Sequence, residues 1–146
     1  MINAKEELEK WEDTYCTPWN PDHAAKFEDL LGKTIIEIDG AEADSDVIVF
    51  LCSDGTKYMM YHEQDCCESV TVNDICGSIT RMLGTPITKA ECVTHSDDSE
   101  HPATDEWDDS WTWTFYHLAT VKGYLTIRWY GTSNGYYSES VDFVKL

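Results

Sequence analysis

Between Trp111 and Tyr130 the chain alternates residue by residue between two chemically different sets of side chains. A period of two belongs to β-strands, whose successive side chains point to opposite faces of a sheet. Threonine and aromatic residues at this density favour the pleated conformation. The pattern predicts three strands, Trp111 to Val121, Tyr124 to Gly131 and Tyr136 to Val144. A two-residue turn at Lys122-Gly123 would set Val121 opposite Tyr124, His117 opposite Arg128 and Leu118 opposite Ile127. One face then collects Tyr116, Leu118, Leu125, Ile127 and Trp129. The other collects Trp111, Trp113, Phe115, His117, Arg128 and Tyr130.

The turn at Ser133-Asn134-Gly135 sets the third strand. A three-residue loop with Gly135 left-handed places Val141 and Phe143 beside Leu125, Ile127 and Trp129. Ser138, Ser140 and Asp142 then fall beside Arg128 and Tyr130. This register separates apolar from polar groups and is the one expected.

Upstream, Ala4 to Trp11 reads as helical, and Asp22 can cap a short helix that ends at Gly32. Strands are expected over Thr34 to Ile38, Val47 to Cys52 and Lys57 to Tyr61, the last two as a hairpin around Ser53-Asp54-Gly55. Glu68 to Val72 and Ile87 to Thr94 read as further strands. Asp74 is placed to cap a helix through Ile75, Ile79, Met82 and Leu83. The expected fold is α+β: one domain over residues 1–146, with a mainly antiparallel twisted sheet, a C-terminal three-stranded meander and two or three short helices. Residues 1–21 form an N-terminal extension, and 96–109 an acidic loop.

Twenty-eight acidic residues against ten basic ones give a formal charge of −18. Such a field repels nucleic acid and anionic membranes and attracts basic protein surfaces. It does not signify disorder, because hydrophobic residues make up 42% and aromatics 12% of the chain. Residues 96–109 hold seven acids and no Lys or Arg: Asp97, Asp98, Glu100, Asp105, Glu106, Asp108 and Asp109. A second group is Asp39, Glu42, Asp44 and Asp46. Carboxylates in such rows can imitate a line of phosphates and dock in a basic groove. The ordinary reading of a charge run is a solvated segment.

Two other constellations carry chemistry. Trp113, Phe115, His117, Arg128, Tyr130 and Asp142 combine stacking rings with a cation, an imidazole and a carboxylate, suited to a small nucleotide-like ligand. His62, Cys66 and Cys67 offer an imidazole and two thiols among the acids of residues 62–68. They are the candidates for a zinc site, with a distant His95 or Cys92, or for a cysteine nucleophile. Neither follows a standard ligand spacing. With no signal-peptide core at the N-terminus, the six cysteines are expected to be free thiols in a cytoplasmic setting. No Walker motif is present.

The blocks Tyr61 to Val70 (YHEQDCCESV), with Asp74-Ile75 and Gly77 following, and Thr112 to Phe143 (TWTFYHLATVKGYLTIRWYGTSNGYYSESVDF) resemble those of a family of uncharacterised small bacteriophage and prophage proteins. The resemblance spans roughly residues 28 to 144. It implies a phage origin and no particular activity. The acidic stretch 97–109 and the N-terminal extension are not part of that pattern. The function expected is non-enzymatic and without cofactor: stoichiometric binding of a basic host protein, such as a nuclease or other defence factor, in the cytoplasm of the host bacterium.

Overall fold

The computed structural model describes residues 1–14 and 21–146. The expected α+β domain is built from eight antiparallel strands in two four-stranded sheets. In chain order the elements are α1 (Ala4–Thr14), β1 (Ile35–Asp39), β2 (Val47–Cys52), β3 (Lys57–Tyr61), β4 (Ser69–Gly77), β5 (Lys89–Ser96), β6 (Ser110–Thr120), β7 (Gly123–Ser133) and β8 (Asp142–Lys145). The first sheet has the order β1-β2-β3-β8 and the second β4-β7-β6-β5. Short 3-10 turns occupy Pro21–His23, Phe27–Leu30 and Thr80–Met82.

The central strands of the first sheet, β2 and β3, are buried on both faces, which is why Val47 to Cys52 reads as an unbroken apolar run. Ile48, Phe50, Cys52, Tyr58 and Met60 face the second sheet. Val47, Val49, Met59 and Tyr61 face α1 through Ala4 and Trp11. Carboxylates of β1 also hold the start of that helix. Glu37 accepts the N–H of Ile2, just before the helix, at 3.0 Å, and Asp39 accepts the Ala4 N–H at 2.8 Å, a donor that a helix N-terminus leaves open. Residues 1–14 are thus an integral third layer rather than an appendage, and Asp39 is spent inside the fold.

The second sheet contributes Val70, Val72, Tyr116, Leu118, Leu125, Ile127 and Trp129 to the shared core. Its opposite face carries the mixed aromatic and polar set. The β6–β7 register differs from expectation: Thr120 opposes Gly123, so Val121-Lys122 makes the turn, His117 meets Thr126 and Phe115 meets Arg128. The slip is two residues. Side chains repeat every two, so each residue keeps its face.

Three expected elements are corrected. The third strand of the meander does not pair with β7, whose free edge is taken by β4. The chain instead crosses to the first sheet, where β8 pairs with β3. The crossing lies tight on Gly131, where a Cβ would sit 2.6 Å from the Glu139 carbonyl oxygen. Glu139 accepts hydrogen bonds there from the Thr112 and Ser133 hydroxyls. Phe143 reaches the core as expected, but from the other sheet, stacked on Tyr58 at 5.4 Å.

The helix expected from Asp74 is a continuation of β4 to Gly77. A bulge between Val72 and Asp74 breaks the two-residue alternation there. The spacing of Ile75 and Ile79 then imitates a helical face. The helix expected after Asp22 is two 3-10 turns. Phe27 and Leu30, three apart, both enter the core. At Gly32 the backbone turns left-handed, φ 79°, and its N–H goes to the Ile87 carbonyl rather than continuing a helix.

Candidate functional site

The outer face of the second sheet is roofed at one end by the acidic loop, whose contacts follow from the strands beneath it. At Asp97 the backbone is left-handed, φ 49°, and turns the chain out of β5 and back over the sheet. Asp97 accepts the Trp111 N–H at 2.9 Å through its side chain. The indole N–H groups of Trp111 and Trp113 donate to the carbonyls of His101 and Pro102, each at 2.9 Å. Tyr130 receives the Thr104 N–H at 3.2 Å and donates its hydroxyl to Asp108. Burial, then the Asp108 carboxylate, pushes the Tyr130 phenol up from its ordinary value.

The loop is therefore ordered against Trp111, Trp113 and Tyr130. Four of its seven acids accept hydrogen bonds: Asp98 and Asp105 from N–H groups of the loop, Asp97 from Trp111 and Asp108 from Tyr130. Glu100, Glu106 and Asp109 stand exposed. Trp107 sits among Asp105, Glu106, Asp108 and Asp109 with 81% of its surface open to solvent. Sequence reasoning treated this stretch as charge alone and passed over its one indole, although DEWDD is plain to read.

Beneath the roof, Arg128 lies over the Trp113 ring, 5.3 Å from its centroid. Its Nε donates to Asn73 Oδ1 at 2.9 Å, and Nη2 stands 3.7 Å from Asp74. Both partners come from the β4 bulge. Trp113 and Tyr130 pack at 4.5 Å between ring centroids. A cavity of about 240 Å³ is lined by Glu100, His101, Pro102, Trp113, Phe115 and Arg128. Two members of the expected constellation are elsewhere. His117 bonds to Thr126 at 3.0 Å, farther along β6. Asp142 belongs to β8, where it accepts the Glu63 N–H at 2.9 Å and burial raises its carboxyl.

The second expected constellation is a hydrogen-bonded network at the wall of a cleft. His62 directs Nδ1 at the Ser140 carbonyl, 2.7 Å, and Nε2 at Glu68, 2.9 Å. The ring is thus held at both nitrogens by groups of the fold itself. Cys66 and Cys67 are joined as an adjacent-residue disulfide, which removes them as thiolate ligands or nucleophiles and corrects their reading as free thiols. Cys52, Cys76 and Cys92 are free, and Cys16 lies outside the described residues. Glu68 also takes the Gln64 amide and the N–H groups of Asp65 and Cys66. Burial pushes its carboxyl up, but His62 and the backbone donors outweigh this and hold it at about 2. Beside this network Glu63, Asp65, Glu68 and Asp142 help to line a cleft of about 420 Å³.

A grouping the sequence reading did not assemble stands at the loop's root. His95, opposite Trp113 in the β5–β6 register, stacks on His101 with 3.7 Å between ring centroids. Both Nδ1 atoms face Asp98 Oδ2, at 3.4 Å from His95 and 3.1 Å from His101. The Glu100 backbone N–H and then His101 lower the Asp98 carboxyl. The signal was a histidine, aspartate, histidine spacing of three and three.

Fold and surface together define a small two-sheet α+β protein with a loop-roofed aromatic face. Among the described residues no helix is long and apolar enough to cross a membrane. Residues 28–143 match the family model described as Domain of unknown function (DUF7448), and the chain belongs to that family. The match begins after α1. Searches of curated proteins and of solved structures returned no match.

Proposed function

We propose that this protein acts by stoichiometric binding of a basic protein, through the acidic loop with Trp107 as its anchor. The observation that carries the reading is an indole 81% exposed among four carboxylates. Exposed Trp side chains are recurrent binding hot spots when a partner covers them. Surrounding carboxylates steer a basic partner and reject acidic ones. The loop's anchoring on Trp111, Trp113 and Tyr130 favours binding, because a pre-ordered loop loses less entropy on association. The resemblance to phage proteins makes a host defence factor, such as a nuclease, the target class this surface suits. In this reading the protein is no enzyme, and its setting is the host cytoplasm.

The cavity against Trp113, Phe115 and Arg128 supports a second reading, a small planar anionic ligand. It ranks behind. At about 240 Å³ it falls below the roughly 300–1,000 Å³ usual for ligand sites, and Arg128 already has Asn73 and Asp74 as partners.

The test is capture from bacterial lysate at low and high salt with wild type, Trp107→Ala and the double variant Glu106→Gln/Asp109→Asn. A basic partner that is released by salt and lost with Trp107→Ala supports the proposal. An equal yield from all three proteins at low salt refutes it. A small molecule retained by wild type and lost in Arg128→Ala, with no protein partner, would favour the second reading.

A further inference from the structure

We infer that His95, Asp98 and His101 bind one divalent transition-metal ion of the zinc class, clamping the root of the acidic loop to β5. The geometry carries the inference. Ligand atoms about 2.0–2.1 Å from a tetrahedral zinc stand roughly 3.3 Å from one another. The two histidine nitrogens lie 3.4 and 3.1 Å from the shared Asp98 oxygen, and the three ligand atoms all fall within 4.8 Å of each other. Two imidazoles and one carboxylate form a borderline donor set that suits zinc and its first-row neighbours rather than calcium or magnesium.

The backbones that carry the ligands are held in place, and on binding the two imidazoles, stacked 12° from parallel at 3.7 Å between centroids, turn their Nδ1 atoms toward the common ion. The His95 backbone is fixed by strand pairing opposite Trp113. Asp98 Oδ1 accepts the Glu100 N–H at 2.9 Å, which leaves Oδ2 for the ion. The His101 backbone is tied twice: its N–H goes to the Asp98 carbonyl at 3.1 Å and its carbonyl receives the Trp111 indole. Both rings pack edge-on against Phe115, with centroids at 5.9 and 6.1 Å. Such support around the ligands is what fixes metal sites. The strongly negative chain also raises the local concentration of any cation.

Three protein ligands leave a coordination position open. His101 is also a wall of the cavity that holds Glu100, Trp113 and Arg128, so the ion would place its charge at that cavity's edge. This inference does not depend on the partner proposed for Trp107.

The test is calorimetric titration of the chelator-treated full chain with zinc chloride, beside His101→Gln and Asp98→Asn, with circular dichroism to confirm that each variant is folded. Cobalt(II) provides an optical probe. The expected result is one equivalent of zinc, an intense visible band for the cobalt form, and at least about 100-fold weaker binding in either variant, since outer partners of ligands alone are worth 10–100-fold. No zinc binding by the wild-type chain, or undiminished binding by both folded variants, overturns the inference. Loss of binding in Asp142→Asn with full retention in Asp98→Asn also overturns it, and would move the ion to the acidic cleft.

Discussion

The Glu68 network gives a sharp prediction because one carboxylate serves four donors in a sealed position. Glu68 accepts from His62, from the Gln64 amide and from the N–H groups of Asp65 and Cys66. Its side chain and that of His62 are 0% and 3% exposed. A carboxyl held at about 2 against an ordinary 4.5 stabilises the folded state by about 3 kcal/mol. The folded value is the lower one. This stability is therefore fully present above pH 4.5 and drains away as pH falls toward 2. An unfolded histidine is already charged in that window, so the loss reports on Glu68. Other lowered carboxylates, Asp98 among them, also weaken the fold in acid, so the informative quantity is a difference between proteins. Between pH 5 and pH 2.5, urea unfolding should show wild type losing about 2–3 kcal/mol more stability than Glu68→Gln loses. At pH 7 Glu68→Ala should be destabilised by about 3–5 kcal/mol, the usual cost of breaking a buried pair. Parallel pH profiles for wild type and Glu68→Gln would refute the reasoning.

Further outcomes follow from contacts elsewhere. Gly131→Ala should destabilise by more than about 2 kcal/mol in urea, because its Cβ meets the Glu139 carbonyl at 2.6 Å. Met60→Leu conserves volume but removes the sulfur that receives the buried Trp129 indole N–H at 3.0 Å. Calorimetry should show a loss of about 1–3 kcal/mol, where a Met-to-Leu swap elsewhere in a core costs less than about 1.5. Among the described residues Thr85 Oγ1 is buried without a hydrogen-bond partner, so Thr85→Val should leave stability unchanged or raise it by up to about 1 kcal/mol. Arg128→Ala should keep the fold and lose about 1 kcal/mol with the Asn73 bond; an unfolded variant would mean that the guanidinium is a structural pin.

Legibility varied with the range of the interaction. Val47 to Cys52 and Lys57 to Tyr61 were readable to the residue, because a tight turn and a local apolar run specify them. The two faces of β6 and β7 survived a misplaced turn, since a slip of two residues preserves parity. What failed was non-local. Nothing within Tyr136 to Val144 says that β4 has already taken the edge of β7, so β8 read as a meander strand and Asp142 as a neighbour of Arg128. The bulge at Asn73 concealed both the continuation of β4 and the true partner of Arg128. At the site, residues 97–109 were legible as charge, while their attachment through Trp111, Trp113 and Tyr130 depended on two segments meeting in space. That the His62 ring is held between Ser140 and Glu68 was likewise out of reach, because Ser140 lies 78 residues away.

The pairing of β8 with β3 also governs the order in which the chain can become stable. β3 emerges early in synthesis, and its neighbour only after residues 69–133 have been made. Until then Met59 and Met60 lie on an open strand edge, and Phe143 is missing from the ring cluster with Tyr58. The first sheet is therefore completed only after every strand of the second has been made. Assembly should be a single late, cooperative event, with slow refolding typical of distant strand pairing, and a nascent chain halted before Asp142 should be sensitive to protease throughout both sheets.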